Sequence, residues 1–170
     1  MSSVELRAWT EQDLPAVRDL TWETWLATYV SLVPVEDLKS YFDDHYSLEA
    51  LTLFFRQGES GGFLATVDGI PAGYARTRYS SEEDRFYVTS LYVRPRFQGL
   101  GLGTRLLDRA GAAARERGAR RIWLGVMTGN TKTVAWYRRI GFTFVEELPF
   151  TMGATTVPHL IGYRTVESAV

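Results

Sequence analysis

The segment Gln98-Gly99-Leu100-Gly101-Leu102-Gly103 sets a glycine at every second position, and only Arg94 to Phe97 separate it from the apolar run Tyr87 to Val93. Glycine weakens strands and helices alike, so such a cluster marks a backbone that must come very close to something. A strand-like run enters the cluster and an amphipathic helical run leaves it. At that junction the first helical N–H groups have no partners, and the macrodipole adds partial positive charge. Glycines allow φ > 0, so successive N–H groups can curl around an anion. The chemistry expected is phosphate binding, with Arg94 and Arg96 standing on the approach as further cations.

Two familiar nucleotide motifs are excluded. A Walker loop needs a lysine at the helix start, whereas Gly103 is followed by Thr104 and Arg105. A dinucleotide fingerprint needs a second strand ending in an acid, and "IWLGVMTGN" offers none. A tight turn packed against a sheet is the competing reading of the glycines.

Other side chains could carry chemistry. Tyr137, on a short helical run, could donate a proton, or it is a packed aromatic like Trp136 beside it. Asn130 could contact a ligand or form an Asx-type turn after "TG". His45 stands between Asp44 and Tyr46 and reads as a solvated helix end, while His159 follows Pro158 alone and reads as structural. The chain has two histidines, without paired spacing, and no cysteine. That leaves no metal site, thiolate nucleophile or disulfide to expect.

These residues must be positioned by a folded scaffold, and the periodicities supply one. "VELRAW" alternates as a first strand. Thr10 is a plausible N-cap for a helix running through "TWETWLATY", with Glu11 and Asp13 in its first turn. Helices follow at "VEDLKSYF" and "SLEALTLFFRQG". Asp68-Gly69 joins two strand-like runs and is a strong hairpin signal. "RFYVTSLYV" is apolar on both faces, as a central strand would be. Leu102, Leu106, Leu107, Ala110 and Ala114 keep helical spacing up to Gly118. "RRIWLGVM", "TKTVAWYRRI", "FTFVEEL" and "HLIGYRTV" add a strand, a helix and two strands. The expected fold is a single mixed α/β (α+β) domain over 1–170.

The formal net charge of −1 gives no footprint for nucleic acid. No apolar run is long enough for a membrane span, and the start lacks a signal peptide's features. A cytoplasmic location is the expectation.

Gln-x-x-Gly-x-Gly after a strand ending in "LYV" resembles the acyl-CoA pyrophosphate loop of the GNAT N-acetyltransferase family. Downstream, "IWLGV", Asn130 and "AWYRRIGF" resemble the same family's signature. "ETWLATY", "IWLGV" and the late "FTMG" resemble a narrower branch, the bacterial spermidine/spermine acetyltransferases. The resemblance implies a mostly antiparallel sheet of about seven strands flanked by helices, with a splayed strand pair holding acyl-CoA. It implies that Leu91, Tyr92 and Val93 bind the pantetheine arm. Gln98, Gly99, Leu100, Gly101, Leu102, Gly103 and Thr104 would bind the pyrophosphate, with Asn130 on the cofactor arm or the loop. Tyr137 would protonate the departing thiolate, and a backbone N–H near Leu91 would hold the oxyanion. Trp22, Glu23, Tyr87 and Thr89 are the acceptor-side candidates.

The implied function is acetyl-CoA-dependent transfer to a primary amine, a polyamine first. A protein N-terminus, a small or antibiotic amine, or a non-catalytic CoA-binding module are the alternatives. Many relatives carry a glutamate base on the strand before the loop. Tyr87 and Thr89 stand there instead, leaving a water chain, Glu23 or an acid from "FDDHYS" as the base. A homodimer through the late strands would also fit the resemblance.

Overall fold

The computed structural model describes residues 1–167. Seven strands form one sheet: β1 (Val4–Ala8), β2 (Ser60–Val67), β3 (Ile70–Ser80), β4 (Arg85–Val93), β5 (Arg121–Met127), β6 (Thr143–Met152) and β7 (Thr155–Thr165). Their spatial order is β1-β2-β3-β4-β5-β7-β6. Only β4 and β5 run parallel; the other neighbours are antiparallel. The helices are α1 (Leu14–Thr28), α2 (Val35–His45), α3 (Leu48–Arg56), α4 (Leu102–Glu116) and α5 (Thr131–Arg139).

Local chemistry explains most boundaries. Asp68 and Gly69 both take positive φ, 50° and 80°, as a two-residue turn between twisted strands requires. Ser47 caps α3 by accepting the Ala50 N–H at 3.1 Å. Ahead of α1, the Asp13 carboxylate accepts the Thr10 N–H at 2.7 Å, and the chain makes a 3₁₀ turn before the α-helix begins.

The central strands are covered on both faces. Trp25, Phe42, Tyr46, Leu64 and Tyr74 pack under α1, α2 and α3, while Phe86, Val88, Leu107, Ile122 and Leu124 pack under α4 and α5. β6 and β7 run longer than "FTFVEEL" and "HLIGYRTV" because two prolines masked them. Pro149 pairs opposite Pro158. Pro149 lies on an edge strand, and Pro158 just beyond the residue where β7 stops pairing with β5. Neither missing N–H breaks a ladder bond to a central strand. The hairpin tip is tied to α2: Asp37 accepts the Ala154 N–H at 3.0 Å and the Thr155 hydroxyl at 2.5 Å.

Candidate active site

The sheet opens where β4 and β5 meet. Their pairing is confined to Phe86–Ile122 and Tyr87–Trp123. β4 then stays with β3 as far as Val93, and β5 stays with β7 as far as Met127. The two strands fork, and a cavity of about 870 Å³ lies in the fork, within the range of small-molecule sites. A bulge on β4 lies at the fork: Arg76 faces Ser90 and Thr77 faces Val88, which leaves Thr89 unpaired. Thr89 Oγ1 donates to the Arg76 carbonyl at 3.3 Å and lines the cavity.

Alternation along the ladder decides which backbone groups face the fork. The Arg94 N–H donates to the Ala72 carbonyl at 2.8 Å, so Tyr92 also spends its backbone on β3. Leu91 and Val93 therefore direct theirs into the fork. The Val93 carbonyl is taken by the Gln98 side chain at 3.1 Å, leaving the Leu91 N–H and C=O and the Val93 N–H for a ligand. Tyr92 lines the cavity beside Leu91 and Val93, with its backbone engaged by β3 and its ring packed against Trp25 and Tyr74.

The glycines divide their work. Gly99 and Gly101 take φ of 82° and 77°, and a Cβ on either would meet no protein atom within 4 Å. Gly101 is the N-cap of α4 and leaves the N–H groups of Leu102, Gly103 and Thr104 aimed outward. Gly103 is needed for packing, since its Cβ would lie 3.1 Å from the Trp136 ring of α5. Gln98, Gly99, Gly101, Leu102, Gly103 and Thr104 line the cavity, whereas Leu100 is exposed outside it. The arginines behave differently from expectation. Arg94 is held by Glu23 and by the Pro71 carbonyl at 2.8 Å, and Arg96 lies over the Phe97 ring. The cations lining the cavity are Lys132 and Arg139, whose direction appears only once α5 is docked.

Tyr137 reaches the fork from α5 with its ring packed on Trp136 and Phe142. Its hydroxyl has no hydrogen-bond partner among the described residues, yet it is not sealed from solvent as Trp25 Nε1 and Arg76 Nε are. Burial, reinforced by the neighbouring Tyr29 phenol, pushes the Tyr137 phenol well above its ordinary range. Tyr29, on the residue that closes α1, lines the same cavity, and burial pushes it up to about 12. Two protonated phenols thus border one fork. Asn130 begins α5 without a side-chain capping bond and lines the cavity, so the Asx-turn reading finds no hydrogen bond.

The acceptor-side candidates are scattered. Thr89 lines the fork. Tyr87 lies below its crotch, opposite Trp123 and bonded by Arg85 at 3.3 Å. Trp22 and Glu23 line a separate recess of about 430 Å³ between α1 and α2, with Arg18, Lys39 and Asp43. Among the described residues no carboxylate lines the fork, and no cluster of three or more His, Asp or Glu could hold a metal.

A forked strand pair, a glycine-capped helix N-terminus at one end and a free phenol between form a site for a long ligand carrying phosphates. The acetyltransferase (GNAT) family model matches residues 14–142. The chain belongs to the GNAT acetyltransferase family. It is an N-acetyltransferase, and acetyl-CoA is the co-substrate of that family. The fold is shared with the PaiA N-acetyltransferase of Thermoplasma acidophilum, solved with coenzyme A: TM-score 0.84, 21% identity, 96% of this chain and 99% of that one. A streptothricin acetyltransferase of Streptomyces lavendulae is 39% identical over 87 residues, 51% of this chain, and the match spans about half (46%) of that protein. A spermine/spermidine N(1)-acetyltransferase of Bacillus subtilis is 26% identical over 151 residues, 87% of this chain and 93% of that one.

The residues present fit acetyl-CoA. The unpaired edge of β4 suits an amide-bearing arm, and the space a Cβ would fill at Gly99 and Gly101 suits a pyrophosphate on the α4 N-terminus.

Proposed function

We propose that this chain transfers an acetyl group directly to the primary amine of a small molecule, with an antibiotic amine of the streptothricin type as the leading acceptor. The observation that carries the reading is the fork itself. It places the Leu91 N–H, the Tyr137 hydroxyl and the α4 N-terminus along one cavity. Acetyl-CoA supplies the activated acetyl group. Val93 and Leu91 hold its arm, and the N–H groups of Gly101 to Thr104, with Lys132 and Arg139, bind its phosphates. The Leu91 N–H donates to the carbonyl oxygen as negative charge grows there. Tyr137 keeps its proton through burial and gives it to the departing sulfur. No cysteine exists for a covalent route, which suits direct attack.

Among the described residues the fork presents no carboxylate, so its charge does not rank one cationic amine over another. The antibiotic amine leads because the streptothricin acetyltransferase is 39% identical over its matched stretch, against 26% for the spermine/spermidine enzyme. The polyamine reading rests on the Bacillus subtilis relative and on Asp19, Glu23 and Asp43 in the α1–α2 recess. Of these, Glu23 is paired with Arg94 and Asp43 with Lys39. A homodimer through the exposed edge strand β6 belongs to the same reading. Thiol release from acetyl-CoA against streptothricin-class amines, spermidine, spermine, amino acids and N-terminal peptides tests the proposal. The highest kcat/KM is expected for the antibiotic amine; preference for spermidine would reverse the ranking.

A further inference from the structure

An amine acceptor reaches neutral solution as an ammonium and must lose a proton before it attacks. Of the carboxylates named for that task, Glu23 is held by Arg94 and Asp43 by Lys39 at 2.6 Å and Arg18 at 3.7 Å, and Asp44 is exposed outside the fork. The fold supplies a different group beside the fork.

His159 stands on β7 opposite Met127 of β5 and Leu148 of β6, half-exposed on the sheet face that carries α1 and α2. Its Nδ1 lies 2.7 Å from the Leu148 carbonyl oxygen. A carbonyl can only accept, so in the neutral ring Nδ1 carries the proton and Nε2 keeps its lone pair. The ring leans across β5 at Gly125, a residue that lines the fork. A Cβ at Gly125 would sit 3.0 Å from His159 Cδ2 and 3.6 Å from Nε2. His159 itself is not among the fork's lining residues; a side chain at position 125 would crowd the imidazole, and glycine lets the ring lie against the strand that walls the fork.

We propose that His159 is the general base, a role that rests on the acyl-transfer reading of the fork. Nε2 takes one proton from the acceptor ammonium and passes it to solvent. The freed nitrogen lone pair forms the C–N bond, and the C–S bond breaks. The sulfur takes the Tyr137 proton, and the second proton lost by the nitrogen returns the phenol to its starting state. One proton is released per turnover, as amide formation from an ammonium and a thioester requires. Leu148 acts through its carbonyl by fixing the tautomer.

The groups sharing that face are few. Phe150 packs on His159 at 5.2 Å and on Tyr41, which stacks on His45. Glu146 lies further along β6 and acts on Arg85 of β4, which covers Trp123 and is bonded to Tyr87. Glu147, which accepts from Thr128 at 3.3 Å, points to the opposite face with Leu160. With two histidines in the chain, His45→Gln separates one imidazole from the other.

The test joins kinetics to a measurement on the free protein. His159→Gln, and His159→Asn, which keeps an N–H for the Leu148 carbonyl, should lower kcat/KM at neutral pH by about 10²–10⁴-fold. Both should abolish its fall on the acid side while acetyl-CoA affinity stays unchanged, and His45→Gln should keep that acid limb. Nitrogen-15 NMR of the free protein should show the neutral His159 ring protonated at Nδ1. An acid limb that survives in both His159 variants, or a neutral ring protonated at Nε2, would overturn the assignment. Wild-type protein inert toward every amine would instead sink the acyl-transfer reading, and the tautomer measurement would still decide the ring.

Discussion

Two glycines cap the ends of α4, and substituting each by alanine separates strain from binding. Gly101 at the N-terminus has φ of 77°, Gly118 beyond the C-terminus has φ of 79°, and a Cβ at either meets no atom within 4 Å. An L-residue held in that left-handed region costs about 1–2 kcal/mol. For a domain of this size that is a fall in Tm of roughly 2–8 °C, similar for Gly101→Ala and Gly118→Ala. Their effects on coenzyme A should diverge. At Gly101 the methyl group projects where the phosphates approach the free N–H groups. Losing one charge-assisted hydrogen bond is worth about 1.5–3 kcal/mol, or roughly a 10- to 150-fold rise in Kd. Gly118 lies at the far end of a 15-residue helix and should leave Kd unchanged. Thermal unfolding and calorimetric titration with coenzyme A measure both quantities. Equal affinities in the two variants would refute the reasoning, because the cluster would then be a turn and no more.

Two further outcomes follow from the geometry. Tyr137→Phe should lower kcat by about 10²–10⁴-fold while coenzyme A affinity holds, as steady-state kinetics and titration would show; an unchanged kcat removes the phenol from the mechanism. Asp37 is held below the ordinary carboxylate range, first by the Thr155 hydroxyl and then by the Ala154 N–H. Its folded pKa is depressed, so its contribution is present above the unfolded value and is lost as pH falls through the folded one. Protection of the Ala154 N–H against exchange, taken relative to its intrinsic rate at each pH, should fall at acid pH in the wild type, whereas Asp37→Ala should show little protection at every pH.

Local signals carried much of this fold. Asp68-Gly69, Gly118 and Gly141 each take the positive φ that their turn or helix end needs, and such demands are written in single residues. The glycine cluster was legible for the same reason. The fork was expected only through the family resemblance, because no local pattern says where two strands distant in sequence stop pairing. Arg94 and Arg96 were near the loop in sequence but are turned to Glu23 and Phe97, while Lys132 and Arg139 face the fork from a helix that only packing can orient. Pro149 and Pro158 hid the outer halves of β6 and β7. His159 looked isolated because its meaning lies in Gly125, a neighbour across β5 and β7, and in a carbonyl on β6.

Acetyl transfer through the fork is tested most directly by following acetyl-CoA consumption with a primary amine in the wild type and in Tyr137→Phe, at matched cofactor occupancy. Amine-dependent thiol release, stoichiometric with N-acetylated product and largely lost in the variant, is the expected result. Saturable acetyl-CoA binding with no amine-dependent thiol release, or equal rates in the two proteins, would contradict it.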